Sequence, residues 1–143
     1  MTWKYEHING CTSNPTIIKS KFYANGNIKT KSVIASKKKE NETGYRRDGS
    51  KSYEMNFIYY NKEYILDGPQ YAYYKNGQLF QVDYFNKNHL IKTLYYYESK
   101  KNMMLFFDDK KNVIKGIIYD NNQEYKMSPS QIQEIDYKLK HRR

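Results

Sequence analysis

The sequence predicts a mainly β protein, an antiparallel β-meander of stacked hairpins with one C-terminal α-helix. Three observations predict it. A short aromatic segment ending in Asn-Gly or Asp-Gly recurs along the chain. Runs of β-forming residues such as Phe57–Tyr60 and Met103–Phe107 lie between the copies. After Ser128 the pattern switches from strand to helical period.

Residues 1–19 precede the first copy of the repeat, and Trp3 is read as packing on the first hairpin. The copies are Phe22-Tyr23-Ala24-Asn25-Gly26, Tyr45-Arg46-Arg47-Asp48-Gly49 and Tyr73-Tyr74-Lys75-Asn76-Gly77, with degenerate forms at Tyr96–Lys100 and Ile118–Asn122. Their last positions are separated by 23, 28, 23 and 22 residues. Asn-Gly and Asp-Gly between β-formers signal two-residue type I′ hairpins, whose central residues both need φ > 0. Asn25, Gly26, Asp48, Gly49, Asn76 and Gly77 are therefore the structural turn residues.

Around Asn76-Gly77, alternation places Tyr71, Tyr73, Phe80, Val82 and Tyr84 on one face, and this face is expected to be core. A second turn signal follows each copy, at Asn61–Glu63, Asn86–Asn88 and Asp108–Lys111. Two turns per repeat give roughly eight to ten strands. Ala35–Gly44 is polar and charged and reads as a flexible loop, with Lys37–Lys39 a solvated part of it.

Ser128-Pro129-Ser130-Gln131 carries the signature of a capping box with Pro in the first turn. Ile132, Ile135 and Leu139 follow at helical spacing, so residues 129–140 form an amphipathic helix with a basic end. Its expected task is to cap the open end of the sheet, because an exposed terminal strand invites aggregation. The division is thus a repeat domain over 1–127, with a polar loop near 35–44, and a capping helix and basic tail over 128–143 of the same domain.

Tyr73-Tyr74-Lys75-Asn76-Gly77-Gln78-Leu79 and Phe22-Tyr23-Ala24-Asn25-Gly26-Asn27-Ile28 resemble the MORN (membrane occupation and recognition nexus) repeat. The likeness is greatest to the bacterial MORN-variant, antitoxin-like family of tandem Tyr-Tyr-x-Asn-Gly-x-Leu units. It covers about residues 20–125. The later Gly-x-Gly of MORN repeats is missing, and the fourth and fifth units lack Asn-Gly. The resemblance implies a binding scaffold. It transfers hairpin residues and no catalytic ones.

Composition limits the function classes. The chain has 143 residues and a formal charge of +10, enough for one domain with a real core. An aromatic content of 17% argues against disorder. No apolar run approaches a membrane span, and the N-terminus shows no apolar core of a secretory signal, so a cytoplasmic protein is expected. Cys11 is the only cysteine, so no internal disulfide can form. Lys, Asn, Ile and Tyr make up 65 of the 143 residues, and all four have A/T-rich codons, so the charge alone is weak evidence for nucleic acid.

No catalytic set, cofactor motif or metal-ligand spacing stands out. Asp108-Asp109 sits in a turn beside Lys110-Lys111, and His89 follows another turn. Cys11 is read as incidental. What recurs is aromatic residues beside cations: Tyr45-Arg46-Arg47, Tyr74-Lys75 and Tyr97 with Lys100-Lys101. In a regular array Arg46, Arg47, Tyr74, Lys75, Tyr97 and Lys101 form a ladder along one edge of the sheet. Tyr and Arg are favoured at protein interfaces. The same pairing can stack bases and neutralise phosphates.

The first expectation is a non-enzymatic module that binds and neutralises another protein. An antitoxin, an immunity protein or a phage-type inhibitor of a host defence nuclease, such as a CRISPR effector, acts in this way. A basic inhibitor would oppose an acidic surface or sit beside the nucleic acid of a nucleoprotein target. The alternatives are direct RNA or DNA binding through the ladder, and a structural or anionic-lipid-binding scaffold.

Overall fold

The computed structural model describes residues 3–9, 15–35 and 39–142, so Cys11, Lys37 and Lys38 lie outside it, as does the side chain of Trp3. The strands are β1 (Trp3–Asn9), β2 (Pro15–Phe22), β3 (Ile28–Ala35), β4 (Lys39–Tyr45), β5 (Lys51–Tyr60), β6 (Glu63–Leu66), β7 (Gly68–Tyr73), β8 (Leu79–Asn86), β9 (His89–Tyr97), β10 (Lys100–Phe107), β11 (Val113–Asp120) and β12 (Gln123–Lys126), followed by helix α1 (Pro129–Lys140). All strands join one antiparallel sheet in sequence order, except that β6 pairs with β5 alone. The mainly β meander with one C-terminal helix is as predicted.

The twelve strands among the described residues exceed the predicted eight to ten. The polar stretch expected to be a flexible loop is the main correction: residues 36–38 lie outside the described ones, but Ala35 and 39–44 are strand. It ends β3 and forms most of β4, whose ladder to β5 runs from Lys39↔Ile58 to Tyr45↔Lys51. Its polar side chains find partners across the ladder, Asn41 donating to Asn56 Oδ1 at 3.0 Å, and Gly44 lies under a cross-strand ring. A Cβ on Gly44 would come within 2.0 Å of Tyr53 Cε1, and the Tyr53 hydroxyl donates to Glu42 at 2.8 Å. An aromatic ring laid over a strand glycine replaces the side-chain packing that the glycine lacks.

The Asn-Gly and Asp-Gly turns are also of a different kind. The N–H of Gly77 donates to the Tyr74 carbonyl at 2.9 Å, and that of Tyr74 to the Gln78 carbonyl at 2.8 Å. The same pair of bonds closes 23–27 and 46–50. Only the glycine has positive φ, at +90° in Gly26, +92° in Gly49 and +90° in Gly77. These are type I turns followed by a glycine bulge, not two-residue type I′ turns. The Asn or Asp is selected by its side chain: Oδ1 of Asn25, Asp48 and Asn76 accepts the N–H two residues on, at 2.9–3.0 Å. Paired positive φ, the type I′ mark, occurs instead at Asn61-Lys62, Lys87-Asn88, Glu98-Ser99 and Asn121-Asn122.

Helix α1 begins as its sequence predicts. The side chain of Ser128 accepts the N–H of Gln131, and the Gln131 side chain accepts the N–H of Ser128 at 2.8 Å. Its apolar residues Ile132, Ile135 and Leu139 pack on a buried cluster of Leu105, Val113 and Met127. Close approach depends on Gly116, where a Cβ would meet Met127 Sδ at 2.0 Å and Leu105 Cδ2 at 3.3 Å.

The helix and its lead-in also finish the edge of β11. β12 pairs only with Ile117–Asp120. Beyond it, the Gly116 carbonyl accepts from Met127 N–H at 2.9 Å, and Val113 N–H donates to the Asp136 carboxylate at 3.0 Å. That bond, and the Lys140 ammonium at 2.9 Å, hold the Asp136 carboxyl below its usual range.

The fully buried cluster is therefore not on the predicted face. Leu105, opposite Thr93 and Gly116, lies on the helix-covered face. On the face of Tyr71, Tyr73, Val82 and Tyr84 only Val82 (2% exposed) and Leu94 (5%) are buried, and the tyrosines are half-buried. The reason is partnership. The helix packs on one face, and among the described residues no element covers the other.

Candidate partner-binding surface

The face left uncovered is ordered by register. A central apolar row crosses five strands as Tyr71, Val82, Leu94, Met104 and Ile117. Beside it, Tyr84, Lys92, Phe106 and Lys115 stand opposite one another in turn across β8 to β11, so rings and cations alternate. Nearer the turns, Tyr96 faces Lys101, with Tyr119 on the adjacent β11 and Tyr73 further along the sheet on β7.

The cations lie against the rings. Lys92 sits over Tyr84 at 4.9 Å, Lys115 over Phe106 at 5.2 Å, Lys51 over Tyr73 at 5.2 Å and Lys101 over Tyr119 at 5.7 Å. Each contact is an electrostatic attraction between an ammonium and the negative face of an aromatic ring. The lysine stems also shield the rings from water, and the Lys51 ammonium donates to Glu54 at 2.6 Å.

Burial pushes the phenol pKa up in Tyr53, Tyr73, Tyr95, Tyr96 and Tyr119. Neighbouring acids reinforce this, Glu42 for Tyr53, Glu54 for Tyr73, Asp83 for Tyr95 and Glu124 for Tyr119. A phenol whose folded pKa is raised contributes stability below its unfolded pKa of about 10, and this is lost as pH climbs through the folded value. An absorbance titration of tyrosinate is therefore expected to be biphasic. A delayed fraction should appear together with loss of the β circular-dichroism signal. A single transition with the sheet intact would contradict this burial.

The residues expected to form the ladder fall into two groups. The first three turns line up at one end of the sheet and are stitched together. Arg47 carbonyl accepts from the side-chain amides of Asn25 at 3.2 Å and Asn27 at 2.8 Å, and Tyr23 hydroxyl donates to Tyr45 carbonyl at 2.7 Å. Arg46 donates to Lys51 carbonyl at 2.8 Å and Tyr73 carbonyl at 2.6 Å, so its guanidinium ties one hairpin to the next. Arg47 lies 5.7 Å from the Tyr23 ring, and Lys75 approaches Asp48 at 3.6 Å. Tyr74 packs on Phe80 with ring centroids 4.9 Å apart. Arg46, Arg47 and Lys75 thus act between hairpins, whereas Tyr74 packs within its own.

Tyr97 and Lys101 sit apart from that group. Tyr97 is 63% exposed, and both line a cleft of 720 Å³ between the tips of the β9–β10 and β11–β12 hairpins. His89 is exposed at the β8–β9 turn. Asp108 accepts N–H bonds from Lys110 at 2.9 Å and Asn112 at 2.8 Å, and this hydrogen bonding lowers its pKa. Among the described residues no group of three or more His, Cys, Asp or Glu could hold a metal ion, and no helix is long and apolar enough to cross a membrane.

Sequence reading missed Lys51, Lys92 and Lys115 as members of a surface. The signal lies in the cross-strand register, which a linear pattern does not display.

Neither a known protein family nor a curated protein matches the chain. Among solved structures, it is similar to a TarM mutant of S. aureus in complex with Fondaparinux, alpha-GlcNAc-glycerol and UDP, at 14% identity and a TM-score of 0.37. The match covers 95% of this chain and 23% of that one, and a likeness at that TM-score carries no argument about fold or function.

Proposed function

We propose that this chain is a non-enzymatic binding module that docks a partner protein on the uncovered face of β7–β11 and neutralises it, working in the cytoplasm. One observation carries the reading: the cross-strand alternation of Tyr84, Lys92, Phe106 and Lys115 beside the apolar row Tyr71–Ile117. Half-buried aromatics supply contact area at little conformational cost, and the lysines select an acidic partner surface. The resemblance to the MORN-variant, antitoxin-like repeats supports a scaffold used for binding. An antitoxin, an immunity protein or an inhibitor of a defence nuclease fits this surface when the target offers carboxylates around an apolar patch.

Alternating rings and cations are also what single-stranded nucleic acid uses, which makes it the second reading. Salt separates the two. Capture from the source cell, with mass spectrometry and a nuclease-treated control, is expected to yield a protein complex that survives about 200 mM salt. Combining Tyr96→Ala with Phe106→Ala should weaken it by at least about tenfold, or roughly 1.4 kcal/mol. Tight binding of the isolated protein to RNA or DNA, lost steeply with salt, would overturn the protein reading.

A further inference from the structure

We propose that the cleft between the tips of the β9–β10 and β11–β12 hairpins is a binding site for a neutral oligosaccharide. Its origin is a local break in the sheet. The β10–β11 ladder ends at Met103↔Ile118, and the β9–β10 register slips between Lys101 and Met103, leaving Asn102 as an extra residue. A bulge of this kind bends its strand and commonly borders functional sites. Past it, Lys100–Asn102 and Tyr119–Asp120 have no ladder pairing to each other, and the strands part around 720 Å³. That volume is within the range of small-ligand sites.

The break coincides with the two repeats that lack Asn-Gly. The first three turns at this end are bonded side to side through Asn25, Asn27, Arg46 and Lys75. Among the described residues no hydrogen bond or ion pair joins the tip at Glu98-Ser99 to the tip at Asn121-Asn122.

The lining decides the ligand. Glu98, Asp120 and Glu124 repel an anion, while Lys100 and Lys101 repel a polycation. The many polar side chains disfavour a wholly apolar molecule. A neutral chain of sugar rings meets none of these objections. Each hydroxyl both donates and accepts, matching carboxylates that accept, ammoniums that donate and the amides of Asn102, Asn121 and Asn122 that do both. The exposed ring of Tyr97 offers a flat apolar surface to the C–H face of a pyranose. Each wall has only two or three residues before its turn, too short for a docked β-strand to be held by a ladder.

The test is independent of the partner-protein reading. The full chain is titrated with linear glucan, mannan and N-acetylglucosamine oligomers while backbone-amide resonances are followed. At least one oligomer is expected to give saturable shifts confined to Tyr97–Asn102 and Asp120–Glu124. These should be unchanged between about 50 and 200 mM salt. Tyr97→Ala should weaken binding by at least about tenfold, whereas Tyr97→Phe should retain it. Tyr97 is exposed, so an unchanged melting temperature verifies that the Ala variant is folded. Lack of shifts with every oligomer, shifts indifferent to Tyr97→Ala, or tighter and salt-sensitive occupation of the same amides by spermidine or polyglutamate would each overturn the proposal.

Discussion

Leu105→Ala is expected to destabilise the protein by about 2–5 kcal/mol, the cost of truncating a leucine with no route to solvent. Leu105 is 0% exposed and stands between Thr93 on β9 and Gly116 on β11, with Val113 and Met127 in the same cluster. Truncation removes transfer free energy and leaves a cavity that the surroundings fill poorly. Gly116 has no side chain to offer, and Met127 is already committed to the space above it. Domains of this size have only about 5–15 kcal/mol in total, so one leucine is a large share. Helix α1 rests on this cluster, so its circular-dichroism signal should be lost in the same, earlier denaturant transition. A shift in midpoint corresponding to less than about 1 kcal/mol would mean that the core does not centre on Leu105.

Gln70→Leu is expected to cost about 1–3 kcal/mol although it replaces a polar residue by an apolar one of similar size. Gln70 is 7% exposed. Its Oε1 accepts the Asn56 N–H at 2.6 Å, and its Nε2 donates to the Asn56 carbonyl at 3.0 Å. These bonds stand where a ladder would have continued. β5 pairs with β7 only at Tyr53↔Ala72 and Glu54↔Tyr71 and is taken up by β6 from Phe57↔Leu66 onward. At the crossover Pro69 has no N–H to give. The Gln70 side chain supplies the missing donor and acceptor, and leucine would leave the Asn56 N–H without its partner. Denaturant unfolding checks this. A Gln70→Leu midpoint equal to wild type would show that water replaces the amide at no cost.

These two residues show how unevenly structure was legible in the sequence. Leu105 stood out as part of an apolar run, but its burial depends on which face the helix covers. Gln70 carried no signal at all, because its function is defined by Asn56, fourteen positions earlier. Lys92 and Lys115 were equally silent. They become a pattern only when register sets them beside Tyr84 and Phe106.

What the sequence by itself determined was local. Turn positions, the β class and the span of α1 follow from short-range chemistry: a glycine free to take positive φ, an Asx side chain that closes its own turn, a capping box that satisfies the first helical N–H groups. Tertiary structure alone decided what depends on distant neighbours. It turned 39–45 into a strand, because β3 and β5 flank it and the Tyr53 ring covers Gly44. It moved the buried core to the helix side and left the Tyr71 face half-open, because alternation divides a strand into two faces without saying which will be covered. It placed Arg46 between hairpins and Lys101 beside a cleft, because the reach of a cation to its partner is set by strand register and not by spacing along the chain.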